Sequence, residues 1–136
     1  MKIQLDENSL MPTRAHATDA GLDLYAPYGQ EIPPKRSATF DTGVHIQLPE
    51  GTAGLLVSKS GLSVRHNLTS TGLIDCGYTG SIRVTLYNHS EQWYHVKKGD
   101  KISQLVIIPI ITPELEVVDK LEDSERGEKG FGSSGR

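Results

Sequence analysis

Short runs of apolar and β-branched residues, each cut off by Gly, Pro, Asn or Asp before a helical face can develop, constrain this 136-residue chain most. A helix needs apolar side chains returning every three or four positions over about ten residues or more, whereas a half-buried strand needs only alternation over about four to eight. Runs of the second kind occur at Ile3 to Leu5, Leu22 to Tyr25, Thr39 to Phe40, Val44 to Leu48, Gly54 to Ser58, Ser81 to Tyr87, Lys101 to Ile108 and Glu116 to Val118. Between them stand Pro27-Tyr28-Gly29, Pro33-Pro34, Pro49-Glu50-Gly51 and Lys98-Gly99-Asp100. Proline fixes φ and glycine admits positive φ, so these segments are turns. The pattern predicts an all-β sandwich, barrel or jelly roll, with no helix. No internal repeat or linker divides it, so residues 1–121 are expected to form one domain. Residues 122–136 are charged and Gly/Ser-rich with one aromatic, a composition that predicts a mobile arm.

Charge and cysteine usage narrow the chemistry. A net charge of −3 argues against a general nucleic-acid binder, which needs an excess of Lys and Arg along one face. An anionic ligand would have to be held locally, which suits a small substrate better than a polyanion. The single cysteine, Cys76, excludes an intrachain disulfide and a cysteine-based zinc site. No apolar run approaches the length of about eighteen residues needed to span a bilayer, and the N-terminus lacks the features of a secretory signal. Neither a membrane location nor export is expected, and the cytoplasm is the expected compartment.

Five clusters carry polar chemistry. The arm, Arg126-Gly-Glu-Lys129-Gly-Phe131-Gly132-Ser133-Ser134-Gly135, combines backbone amides freed by glycine, serine hydroxyls and cations, all of which suit phosphate oxygens. Only one residue follows Gly135, so a phosphate loop launching a helix is not expected; the alternatives are a clamp over a ligand bound elsewhere or a solvated tail. Phe131, isolated among glycines, is placed to stack on a planar base. In Gly72-Leu73-Ile74-Asp75-Cys76-Gly77-Tyr78-Thr79-Gly80, Asp75 is either a water-activating general base at a strand end or a turn residue. Lys59-Ser60-Gly61 is either a phosphate contact or a turn, and Gln104 either a phosphate donor or a surface amide. Asp19 and Asp23 suit either turn capping or water-mediated contact with Mg²⁺, a cation that favours oxygen ligands and keeps several waters.

Together and in this order, Ala20-Gly-Leu-Asp-Leu24, Lys59-Ser-Gly-Leu62, Gly72 to Gly80, Gly99-Asp-Lys-Ile-Ser-Gln-Leu105 and Arg126 to Gly135 resemble the five ordered motifs of the trimeric dUTPase family. The resemblance implies a β jelly-roll (β-clip-like) protomer assembled as a homotrimer, with the C-terminal arm closing an active site of a neighbouring subunit. It implies hydrolysis of dUTP to dUMP and pyrophosphate, which limits uracil in DNA and supplies dUMP for thymidylate synthesis. By position, Asp75 would deprotonate the water that attacks the α-phosphorus, and Tyr78 would pack beneath the deoxyribose. The hairpin from Thr69 to Arg83, with Leu73 and Ile74, would read uracil, and Phe131 would stack on it. Lys59, Ser60, Gly61, Gln104, Arg126, Gly132, Ser133 and Ser134 would hold the phosphates. Asp23 would reach Mg²⁺ through water, the ion being held mainly by the triphosphate.

Two positions depart from the family pattern. Lys59 stands where the family usually has Arg, which keeps the charge but loses bidentate geometry unless Arg65 compensates. Thr69 stands where many members carry Asn or use bare backbone. The alternatives are a dCTP deaminase of the same fold, and a trimeric regulator that binds a protein partner.

Overall fold

Alternation is realised most fully in the stretch Ser37–Asp41, where Ala38 and Phe40 are buried between exposed Ser37, Thr39 and Asp41. The computed structural model describes residues 1–124, 127 and 128. Its elements are β1 (Lys2–Leu5), β2 (Gly21–Tyr25), β3 (Gln30–Ile32), β4 (Ser37–Asp41), β5 (Val44–Gln47), β6 (Thr52–Val57), α1 (Ser60–His66), β7 (Leu68–Thr69), β8 (Thr71–Ile74), β9 (Arg83–Asn88), β10 (Tyr94–Val96) and β11 (Lys101–Pro109). All pairings are antiparallel. One sheet runs β2-β11-β6-β8 and a second runs β4-β9-β7, while β1-β5 and β10-β3 form two-stranded ribbons.

These layers enclose one core in a jelly-roll-like arrangement. Leu24, Leu56, Ile74 and Leu105 enter from the first sheet, Ala38, Phe40, Val84 and Leu86 from the second, and Ile32, Val44, Ile46 and Val96 from the ribbons. Buried Asn88 closes the polar accounts at one end, donating through Nδ2 to the carbonyls of Ile32 at 3.1 Å and Gln92 at 2.8 Å. That amide joins the loop after β3 to the loop after β9, as a buried polar group must be paired.

The expected strands are present within one or two residues of their predicted limits, with one exception. Glu116 to Val118 forms no strand: residues 111–124 have no regular structure, and Leu115 and Val117 are almost fully exposed. Alternation alone does not make a strand, because its backbone groups need a partner edge, and this protomer offers that segment none among the described residues. A second correction concerns α1, since no helix was expected. All seven of its residues lie outside the core, so no apolar period marks it. It is instead delimited by Asn67, whose left-handed φ of 53° ends it while its N–H reaches the carbonyls of Leu62 and Ser63. The strands β3, β7, β8 and β10 also escaped the sequence reading, being too short for alternation to stand out.

Phe40 is fully buried and stacks on Tyr28 with ring centroids 5.6 Å apart. Phe40→Ala is expected to destabilise the fold by about 3 to 5 kcal/mol, read as a lower guanidinium midpoint at fixed protein concentration.

Candidate functional site

Strand β8 delivers the first half of the site. Its pairing with β6 runs from Thr71↔Val57 to Ile74↔Gly54 and then stops, leaving Asp75 at the strand end. Gly72 lets the chain pass close to Leu56, whose Cδ1 would lie 3.0 Å from an added Cβ and would have to shift. The chain then turns: the Tyr78 N–H donates to the Asp75 carbonyl at 3.1 Å, and Gly77 adopts a φ of 94°. The Tyr78 hydroxyl donates to the Ser81 carbonyl at 3.1 Å, laying the ring across Gly80, where any Cβ would collide with it. Leu56, Leu73, Ile74, Asp75, Tyr78 and Arg83 are among the residues lining a cavity of about 250 Å³ at this end of the sheet. Its apolar wall and single carboxylate suit a flat, weakly polar ring with a reactive group beside it.

The far side of the turn is held by Asp41, which sequence reasoning missed. Ser81 Oγ donates to Asp41 Oδ1, and the Gly43 N–H donates to Ser81 Oγ at 2.9 Å. Arg83 Nε lies 3.4 Å from Asp41 Oδ2. The Ser81 hydrogen bond lowers the Asp41 pKa; burial opposes it, and Gly43 and Arg83 add to the lowering. Arg83, expected to help read a base, is therefore engaged with Asp41 at the cavity edge.

The second half is electrostatic. Asp23 on β2 is 3% exposed and accepts from Lys59 Nζ at Oδ1 and from Lys101 Nζ at Oδ2, 2.8 Å away, with Gln104 Nε2 3.4 Å from Oδ1. Burial raises the Asp23 pKa, but the hydrogen bonds and charges of Lys101 and Lys59 outweigh it and leave it lowered. The same carboxylate raises the pKa of Lys101. Two cations on one anion leave the cluster with a net positive charge, and Lys101 is a member the sequence did not single out. Gly21 is needed beside it, since a Cβ would meet Gln104 Cβ at 3.1 Å. A carboxylate has about four lone-pair sites, and three donors already occupy them here. Asp23 is thus unsuited to bind a metal directly and retains one lone pair for a water. Among the described residues no cluster of three His, Cys, Asp or Glu is placed to hold a metal.

Ser60 and Gly61 open α1, where the first N–H groups of a helix have no intrahelical acceptor. Thr69 lies elsewhere: it is on β7, and its Oγ1 is 2.7 Å from His89 Nε2. Arg65 lines a different surface hollow with His66 and Trp93, away from Lys59 and Asp23. Arg126, Phe131, Gly132, Ser133 and Ser134 lie outside the described residues.

The two halves are far apart in one chain. Asp23 is level with Gln104, Val57 and Thr71 across the sheet. Asp75 lies four residues further along β8 and three strands over, about 13 Å along and about 14 Å across, or about 20 Å in all.

The dUTPase family model matches residues 7–135. The deoxyuridine 5'-triphosphate nucleotidohydrolase of Eremothecium gossypii is 42% identical over 138 residues, spanning 99% of this chain and 90% of that protein. The human mitochondrial protein of the same name is 42% identical over 134 residues, 98% of this chain, which spans 53% of the human protein's length. The structure of the dUTPase of Staphylococcus bacteriophage 80alpha with dUpNHpp superposes with a TM-score of 0.92 at 38% identity, over 99% of this chain and 98% of that one.

The lowered Asp23 pKa carries a signed prediction. A carboxylate with a depressed folded pKa contributes stability that is present above its unfolded value, near 3.8, and is lost as pH falls through the folded value. Asp23→Asn is expected to lower Tm at pH 7, with the gap to wild type closing as pH falls below about 4, in thermal melts from pH 7 to 3.

Proposed function

This chain belongs to the dUTPase family, and on that premise we propose that it hydrolyses dUTP to dUMP and pyrophosphate at sites shared between the copies of a homotrimer. The observation that carries the reading is the cavity at the end of β8, where one carboxylate, Asp75, stands beside Tyr78 on a wall formed by Leu56, Leu73, Ile74 and Ile82, with Ser81 and Arg83 at its edge. Uracil enters against Leu73 and Ile74, and the deoxyribose rests on Tyr78, where a ribose 2′-hydroxyl would collide. The narrow strand end excludes a 5-methyl group, which is how dTTP is refused. Asp75 takes a proton from water as that water attacks the α-phosphorus, and the bond to the β-phosphate oxygen breaks. Phosphoryl transfer of this kind depends on positioning and charge neutralisation more than on covalent help from the protein.

Charge neutralisation falls to the second half. Lys59, Gln104 and the free N–H groups of Ser60 and Gly61 face the phosphates. Mg²⁺ arrives with the triphosphate as part of the substrate, and Asp23 orients one of its waters. The separation of about 20 Å between Asp23 and Asp75 is what calls for a second subunit, because one nucleotide cannot engage both within one chain. Exposed Ile111, Leu115, Val117 and Leu121 likewise ask for a covering surface. We assign residues 1–121 to the folded domain and 122–136 to an arm that brings Arg126, Phe131, Gly132, Ser133 and Ser134 to a neighbour's site. No helix among the described residues is long and apolar enough to cross a membrane, and we place the activity in the cytoplasm.

A pyrophosphate-release assay with Mg²⁺ is expected to show turnover of dUTP and little of dTTP, dCTP or UTP; equal turnover of all four, or ammonia release from dCTP, refutes the reading. Asp75→Asn is expected to cut kcat by about a hundredfold to ten-thousandfold.

Shared sites make a separate prediction. Asp75→Asn and Lys59→Met homotrimers are each expected to be nearly inactive. Co-refolded in equal amounts, they should regain about a quarter of wild-type activity, since random mixing joins an intact Asp75 to an intact Lys59 in that share of sites. No recovery means that each site lies within one chain.

A further inference from the structure

The turn that bears Tyr78 has almost nothing beneath it. Asp75, Cys76, Gly77, Tyr78 and Thr79 are all exposed, so core packing does not fix their position. Besides the Tyr78 hydroxyl, which donates to the Ser81 carbonyl at 3.1 Å, two contacts tie this stretch to the rest of the chain. Cys76 Sγ lies 3.6 Å from the Pro49 carbonyl, a weak thiol contact. The other is His45 on β5, whose Nδ1 stands 2.8 Å from the Thr79 carbonyl. The opposite ring nitrogen, Nε2, is 3.3 Å from the Asp6 carboxylate. Asp6 is itself fastened, its N–H donating to the Gly43 carbonyl at 2.9 Å. A chain of hydrogen bonds therefore runs from the β1-β5 ribbon through the imidazole to the residue next to Tyr78.

We propose that His45 is a positioning residue for the reaction: by holding the Thr79 carbonyl it fixes the Tyr78 ring against the sugar and so sets discrimination against ribonucleotides. This rests on the dUTPase reading above. Asp41 and Ser81 hold the turn's far end and the Ser81 carbonyl holds the Tyr78 hydroxyl, while His45 holds the backbone just after Tyr78, so loss of the imidazole loosens the ring's other anchor without unmaking the cavity.

The protonation state of His45 acts on the same contact. The imidazolium donates from both nitrogens, to Thr79 and to Asp6, whereas neutral imidazole has one N–H for two acceptors. The Thr79 hydrogen bond raises the pKa of His45 above its usual value, the Asp6 hydrogen bond and charge add to this with a contribution from Asp41, and partial burial opposes them. Lys2, on the same face of the ribbon, supplies the positive charge lining that hollow. The tether is therefore complete below the His45 pKa and loosens as pH rises through it.

The test is kcat/KM for dUTP and for UTP in wild type, His45→Leu and His45→Asn, with thermal melts of each. Wild type must first prefer dUTP; if it does not, the reading of the reaction fails and not this one. His45→Leu is expected to lower the dUTP:UTP ratio about tenfold, the loss of one hydrogen bond, and His45→Asn, whose amide N–H can replace Nδ1, to recover most of it. A purely structural loss reduces the folded fraction and cuts both substrates equally. An unchanged ratio in folded His45→Leu overturns the proposal. Should that variant not fold, the wild-type ratio is expected to fall as pH is raised above the ordinary histidine value of 6.5 while that of His45→Asn stays level; a wild-type ratio level throughout that rise overturns it equally.

Discussion

The double pairing of β6 sets the geometry on which everything else rests. One edge of this strand bonds β11 and the other β8, over registers that leave no freedom to slide: a shift of one residue would turn Leu56 out of the core. Gly54 permits the close contact on both sides, lying against Leu105 and Ile74. Because the register is fixed, so is the separation between the cations gathered at one end of β6 and the carboxylate released at the other. On the function proposed above, the homotrimer would follow from strand register, since two copies would bring together groups that one chain holds apart.

Charge is organised on the same logic. The chain as a whole is mildly acidic, yet the Asp23 cluster concentrates two lysines on one buried carboxylate. A lone buried anion would be costly, and two lysines that reach it from more exposed positions offset that cost; together they form a site with surplus positive charge whose members are already oriented. In the proposed reaction Lys59 would turn toward a phosphate without stranding Asp23, because Lys101 also contacts that carboxylate. The substitution of Lys for the Arg usual in the family at position 59 fits this arrangement, since a point charge can exchange partners more readily than a bidentate fork.

How much of this was legible in the sequence differs between fold and site. The longer strands were visible because their buried residues alternate, as in Ala38 and Phe40 or Val84 and Leu86. The helix was invisible because only Leu62 packs against the core and no residue of it is fully buried, and β8 because four residues interrupted by a glycine carry little periodicity. The segment from Glu116 to Val118 misled for the opposite reason: it has the pattern of a strand but no edge to pair with in its own protomer. At the site, the motif residues Leu73, Ile74, Asp75 and Tyr78 converge on one cavity, while Thr69 belongs to the other sheet. Lys101, Asp41 and His45 left no signal, since their significance lies in which distant residues they meet, and single residues separated by thirty or more positions carry no spacing rule.

On the proposals made above, specificity depends on holding an exposed turn still. A buried loop would be rigid but closed to substrate, and an unsupported one would be open but unable to exclude a single hydroxyl group. The structure meets both demands by leaving Asp75 to Thr79 uncovered and fastening the turn from its edges through polar groups of β4 and β5. Hydrogen bonds are suited to this because they fix direction without filling the space where the sugar must lie. The same choice exposes the turn's His45 contact to protonation in a way that apolar packing would not, so the proposed discrimination and its proposed pH dependence rest on one set of contacts.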